Sequence, residues 1–173
     1  MSLVHAGRES LRGAGGTSSA SERRLGYHRS VTLRDTSATL SGVPLPDPIR
    51  AFLAEPRVAA IATLNPDGSP HQAVVWYVLD GESLMINSRR ERRWPQNLAR
   101  DGRISVAVHE GTQRSHWVGV KGHAELLHEG HEALADIQAL ARRYGGDPRT
   151  FVGQDRVSYR IVVASTFEYG ADE

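Results

Sequence analysis

Cysteine is absent from the 173 residues, which excludes disulfide scaffolds, thiolate zinc sites, iron–sulfur clusters and cysteine nucleophiles. Lysine is almost absent as well: Lys121 stands alone among 21 basic residues, the other 20 being arginine. Arg codons are rich in G and C, so this bias points to a GC-rich source more than to a function. No apolar run approaches the ~18 residues needed to span a bilayer, and no charged-then-apolar leader opens the chain. The expectations are therefore no membrane partner and a cytoplasmic location. Charge of one sign is lacking too. The formal net charge is +1, and residues 1–45 hold six Arg against three acids, so their +3 leaves −2 for the rest. Nothing in that balance points to nucleic acid.

What is present suits one domain. A unit of this size buries roughly 68–70% of the surface of its unfolded chain, so a real core is within reach. Residues 1–45 stand apart from it, with little periodicity and much Gly, Ser, Thr and Arg, as in Gly13-Ala14-Gly15-Gly16-Thr17-Ser18-Ser19. Such a stretch cannot bury enough apolar area to offset its ordering entropy, which predicts a flexible N-terminal arm. Its paired glycines are no phosphate loop, because no strand precedes them and no helix follows.

The domain is expected to run over 46–173. Asp47 is a suitable N-cap, Pro48 fits the first helical position, and Ile49, Phe52 and Leu53 share one face of a helix that Pro56 ends. The period then changes to that of strands. Val58 to Leu64 and Gln72 to Leu79 flank the turn Asn65-Pro66-Asp67-Gly68-Ser69, and Asp80-Gly81 leads into Leu84 to Ser88. The run Arg89-Arg90-Glu91-Arg92-Arg93 enters a short helix over Trp94 to Leu98 with Pro95 in its first turn. Strands are predicted over Ile104 to Val108, Trp117 to Leu127 and Tyr159 to Val163, with an amphipathic helix from Glu132 to Tyr144 closed by Gly145-Gly146. Six short antiparallel strands with helices at the connections make a mainly β fold with some α, a small β-barrel. Their close spacing excludes the crossovers of a Rossmann fold.

Chemistry is sparse. Four Arg between 89 and 93 lie between a strand end and a helix start, where backbone N–H groups and the helix dipole favour an anion. Each charge-assisted bond to a phosphate would be worth about 1.5–3 kcal/mol. Asn87 and Ser88 could add neutral donors. A solvated basic loop explains the same residues equally well. The eight histidines form no metal set; His128 and His131 lack a third ligand. No Ser sits in a nucleophile elbow and no carboxylates pair as acid and base, so no catalytic side chain is assigned. Trp76, Trp94 and Trp117 are either core or the apolar wall for a flat ring system.

Several segments in order resemble the pyridoxamine 5′-phosphate oxidase-like superfamily, the FMN-binding split barrel. They are Ile61 to His71, Val75-Trp76-Tyr77, Leu84 to Ser88, Asn97 to Val106, and Trp117 to Leu126. The resemblance covers residues from about 50 to 168. It implies a six-stranded antiparallel split barrel with short flanking helices, and a homodimer with a flavin or deazaflavin at the subunit interface. Carried over by position, Gln72, Ala73, Val74, Val75 and Trp76 would run beside the ring. Asn87, Ser88 and Arg93 would approach the phosphate and ribityl chain, and Arg89, Arg90 and Arg92 would assist by charge. Asn97 belongs to the Trp-Pro-x-Asn-Leu segment, and Trp117 stands where the flavin oxidases of the family place a Gln against the ring.

The departures set the direction. Pyridoxamine phosphate oxidases carry Arg and Lys at the ends of the second strand, where this chain has Ala73 and Val78. Their Lys after Arg93 is Trp94 here. The Trp-Pro-x-Asn-Leu segment looks more like the branch that uses coenzyme F420, a deazaflavin with a lactyl-phosphate and oligoglutamate tail. The expected function is thus hydride transfer between F420 and an unsaturated small molecule. An FMN-dependent reductase or oxidase, or a protein that binds the cofactor without turnover, are the alternatives. Substrate specificity is expected in loops 110–116 and 145–156.

Overall fold

The computed structural model describes residues 42–111 and 116–170. Most of the expected arm, and residues 112–115 of one expected specificity loop, lie outside the described residues. The packed unit begins a little before position 46. Val43 donates its N–H to the Val163 carbonyl at 2.8 Å, and Leu45 is buried in the core.

Helix α1 (Asp47–Ala54) buries Ile49, Phe52 and Leu53, as their shared face predicts. Pro46 is its N-cap and Asp47 its first residue, one position earlier than Asp47 as cap would give. Strands β1 (Ala59–Leu64) and β2 (Pro70–Val75) follow, joined by the Asn65–Ser69 turn. There Asp67 accepts from the Ser69 N–H at 3.0 Å and from its hydroxyl at 2.6 Å, and Gly68 takes φ 82°, a conformation that costs other residues a steric clash. Then come β3 (Tyr77–Asp80), β4 (Ser83–Arg89), α2 (Arg93–Arg100), β5 (Arg103–His109), β6 (Trp117–Glu129) and α3 (Gly130–Arg143). A 3₁₀ turn over Pro148–Phe151 precedes the last strand, β7 (Arg156–Tyr169).

Among the described residues the strands form one antiparallel sheet in the order β2-β1-β5-β6-β7-β4-β3. There are seven rather than six because the expected second strand changes partners at Trp76. Val75 lies opposite Ala59 of β1, whereas Tyr77 lies opposite Ile86 of β4. The two edge strands are therefore consecutive in the chain and linked by one residue, which leaves an open, split barrel. The last strand is also much longer than Tyr159 to Val163. It pairs with β4 along one side and β6 along the other, and this double pairing extends it in both directions.

Two apolar clusters result. The larger fills the barrel with Tyr77, Leu84, Ile86, Val106, Val118 and Ile161 among others. The smaller, built on Met85, Ile137 and Leu140, packs α3 against the outside of the sheet and takes in Trp76, Tyr144 and Phe151. Strand alternation explains the division: Leu84 and Ile86 point into the barrel, so Met85 and Asn87 point toward α3.

Candidate functional site

The strand break at Trp76 opens a cleft of about 220 Å³. Val74, Val75 and Trp76 give it an apolar side, to which Ile137 of α3 and Phe151 of the 3₁₀ turn contribute. Trp76 is held flat against Tyr144, with centroids 5.1 Å apart and planes 7° apart, and meets the Phe151 ring edge-on at 6.4 Å. The Tyr144 hydroxyl accepts from the Tyr77 N–H at 3.3 Å and lies 2.7 Å from the Arg57 carbonyl. It thereby satisfies backbone groups that the broken ladder leaves over.

The polar part of the cleft is Asn87, Arg156 and, at its exposed rim, Arg92. Asn87 is buried, and both its amide hydrogens are used inside the protein. Nδ2 donates to the Ala133 carbonyl at 2.7 Å and to Ser158 Oγ at 2.8 Å. Its Oδ1 accepts from Arg156 Nε at 2.8 Å. Ser158 in turn donates to Asp136 Oδ2 at 2.5 Å, and His128 Nδ1 meets the same oxygen at 2.8 Å. A chain of hydrogen bonds thus runs from His128 on the surface to Arg156 in the cleft. It orients the Asn87 amide, and through it the guanidinium.

Arg156 is only 4% exposed. Its Nη1 donates to Gln154 Oε1 at 2.9 Å, and its guanidinium carbon sits 5.4 Å from the centre of the Phe151 ring, within cation–π range. Among the described residues no carboxylate lies within ion-pairing distance of it. Burial pulls its pKa down to about 10, the positive charges of Arg92 and Arg89 act in the same direction, and Glu91 opposes them. It remains charged at neutral pH, in a place that disfavours the charge.

The other sequence-derived candidates divide among several surroundings. Val74, Val75, Trp76, Asn87 and Trp94 share the cleft. Gln72 is exposed on β2 opposite Ala62, and Ala73 packs partly against the barrel core opposite Ile61. Ser88 is buried, and its Oγ has no partner among the described residues. Arg89 is exposed and donates to Gln154 Oε1 at 3.2 Å. Arg93, the first residue of α2, lines a separate open depression with Asn65, Asp67 and His71. There the Asp67 carboxyl lies below its ordinary range, mainly through its bonds from Ser69 and to a smaller extent through the Arg93 charge.

Asn97 serves the fold: its Nδ2 donates to Thr63 Oγ1 and to Asn65 Oδ1, both at 3.1 Å, tying α2 to the first hairpin. Trp117 lies on β6 opposite His109 and Tyr169, packed edge-on against Phe167 at 5.2 Å, and does not line the cleft. Tyr77, which follows the strand break, is fully buried and donates to the Glu55 carbonyl at 3.4 Å. Burial pushes its pKa up.

The family model for pyridoxamine 5′-phosphate oxidase matches residues 45–170. The chain belongs to that family. Solved structures agree on the split barrel. An F420 reductase is 23% identical over 71% of this chain and 98% of its own, with a TM-score of 0.63. A conserved hypothetical protein from Mycobacterium tuberculosis is 26% identical over 76% of this chain and 88% of its own, with a TM-score of 0.62. A heme binding protein from Mycobacterium smegmatis is 24% identical over 75% of this chain and 57% of its own, with a TM-score of 0.61. No curated protein matches the chain. The family frame shows what Arg156, Phe151 and Ile137 add. They come from the C-terminal half: Ile137 lies in the predicted amphipathic helix, and Phe151 and Arg156 fall within the 145–156 loop expected to carry specificity, but no motif singles any of them out.

Proposed function

We propose that this split-barrel protein is an oxidoreductase that uses coenzyme F420. The observation that carries the reading is the pairing, within one cleft, of an apolar wall at Val74–Trp76 with a buried guanidinium that no carboxylate among the described residues neutralises. A flat ring with an anionic tail fits that combination. The strand cations of the FMN oxidases are replaced here by Ala73 and Val78. Trp94, in place of their Lys, is itself buried in the barrel core with 2% exposure. Such a site favours a cofactor that relies on other anion contacts.

Deazaflavin, when bound, supplies hydride chemistry to an unsaturated small molecule. The protein's part is orientation and exclusion of water. Val74, Val75 and Trp76 present a dry face, while Arg92, Arg156 and, nearer the surface, Arg93 offer cations to the tail. A second copy of the chain completes the site: Val74 and Val58, which line the cleft, are 72% and 54% exposed in the single chain. Trp117 meets the cofactor only if that second copy brings it there. An F420 reductase among the similar folds supports the choice of cofactor. A haem reading finds less support, because none of the described residues lining the cleft is a His, Cys, Met or Tyr able to ligate iron.

The experiment is to mix the purified protein with reduced F420 and a panel of enones and quinones, and to follow oxidation of the cofactor. Turnover above the protein-free rate supports the reading. Turnover only with reduced FMN transfers the chemistry to the flavin, and tight F420 binding with no turnover on any acceptor makes the protein a cofactor carrier.

A further inference from the structure

We infer that Arg156 is the principal anion anchor of the Trp76 cleft, held in place by Asn87, and that it takes a phosphoryl group of the bound molecule with Arg92 at the rim. The inference rests on the reading of the cleft as the cofactor site, but not on which cofactor occupies it.

A buried guanidinium is costly unless an anion meets it, and proteins ordinarily supply a carboxylate. Here the protein gives Arg156 three neutral partners instead: the Asn87 amide oxygen, the Gln154 amide oxygen and the Phe151 ring. They fix its direction without cancelling its charge. Asp136, the carboxylate of the same network, is kept three hydrogen bonds away behind Ser158 and Asn87. The remaining Nη2 has no partner among the described residues, and the side chain lines the open cleft. Arg92 lines the same cleft and is the N-cap residue of α2, a helix with no side-chain cap and no acid in its first turn. Two cations and an uncapped helix start therefore converge where Glu91 acts on Arg156 only through space and no described carboxylate pairs with it. A phosphoryl group carries the charge and the several acceptor oxygens that such a set of donors requires. Arg93, by contrast, shares its open depression with the Asp67 carboxylate.

The test compares FMN with riboflavin, which share the ring and differ by the phosphate, in the wild type and in Arg156→Gln, by quenching of tryptophan fluorescence. The wild type is expected to bind FMN at least about tenfold tighter than riboflavin. Arg156→Gln is expected to lose about 10- to 150-fold in FMN affinity while riboflavin changes by less than about twofold. Arg156→Lys, which keeps the charge but not the planar fork, should fall between them and serves if the Gln variant fails to fold. Equal loss for both ligands, or no loss for either, overturns the inference. A parallel melt with inorganic phosphate separates this failure from failure of the cofactor reading. If neither flavin binds, yet phosphate raises the melting temperature of the wild type and not of the Arg156 variant, the anchor stands and the cofactor assignment falls. If flavins bind and phosphate has no effect on the melt or on their relative affinities, the anchor falls and the cofactor site stands.

Discussion

The two arginine environments at the end of β4 differ in a way that residue counts do not reveal. Arg90, in the dense run at 89–93, is spoken for: Glu129 lies 2.6 Å away and Asp155 3.0 Å away, and both raise its pKa. Arg89 has Glu91 at 3.9 Å and Gln154, and Arg93 shares a depression with Asp67. Arg156, isolated in the sequence, is the buried one and has no acidic partner among the described residues. Availability of positive charge is set by carboxylates brought near through space, while density along the chain says little. Surface pairs of the Arg90 kind contribute ~0–1 kcal/mol, because water and salt screen them. A buried cation held by neutral groups is the stronger lure for an anion.

Four substitutions probe this contrast between the buried arginine and the surface run. Asn87→Leu has the largest expected effect. It leaves the charged Arg156 Nε without its acceptor and removes one partner each from Ser158 Oγ, which keeps Asp136, and from the Ala133 carbonyl within α3. At ~1–3 kcal/mol for an unsatisfied buried group, more for a charged one, it should lower stability by about 2–4 kcal/mol. Urea unfolding measures this, and a loss below ~1 kcal/mol would mean that the network does not hold the guanidinium. Arg93→Ala comes next. Its site is open to solvent, so FMN or F420 affinity should drop only about three- to tenfold, clearly less than for Arg156→Gln. A loss as large as the Arg156 variant's would move the phosphate to the start of α2.

Arg90→Ala should leave cofactor affinity unchanged and cost less than about 1 kcal/mol. Weakened binding in that variant would show that the surface run acts as a whole. The smallest effect is a pH dependence. Hydrogen bonds from Arg103 hold the Asp101 carboxyl at about 2. Its folded pKa lies below the unfolded value of about 3.9, so its contribution is complete above roughly pH 4 and is lost as pH falls through about 2. Asp101→Asn should flatten acid unfolding in that window and leave binding at neutral pH untouched.

Much of this fold was legible in the chain. An apolar run located β1, Asp80-Gly81 marked the hairpin into β4, alternation located β5, and the face shared by Ile49, Phe52 and Leu53 marked α1. What was not legible depends on partners far away in sequence. Trp76 looks like any residue of an apolar strand, and its break follows from β1 and β4 each claiming one half of that strand. The N-terminal end of β7 was hidden because Arg156 and Ser158 alternate with Val157 and Tyr159 as a solvent face would, yet α3 and the 3₁₀ turn cover them. Of the residues that the family resemblance named, 74–76, 87 and 94 line the cleft. Arg156 falls within the 145–156 loop that the resemblance marks for specificity, but no motif singled it out. Its role comes from the carboxylates it lacks, and a sequence does not display the neighbours a residue will be without.

Whether the cleft takes a deazaflavin is decided by titrating the purified protein separately with F420 and with FMN while following tryptophan fluorescence. Trp76 and Trp94 line the cleft and should be quenched on binding, while Trp117 lies apart and gives a residual signal. Saturable quenching by F420 at lower concentration than by FMN is expected. Tighter quenching by FMN, or none by either, would contradict F420 as the cofactor of this cleft.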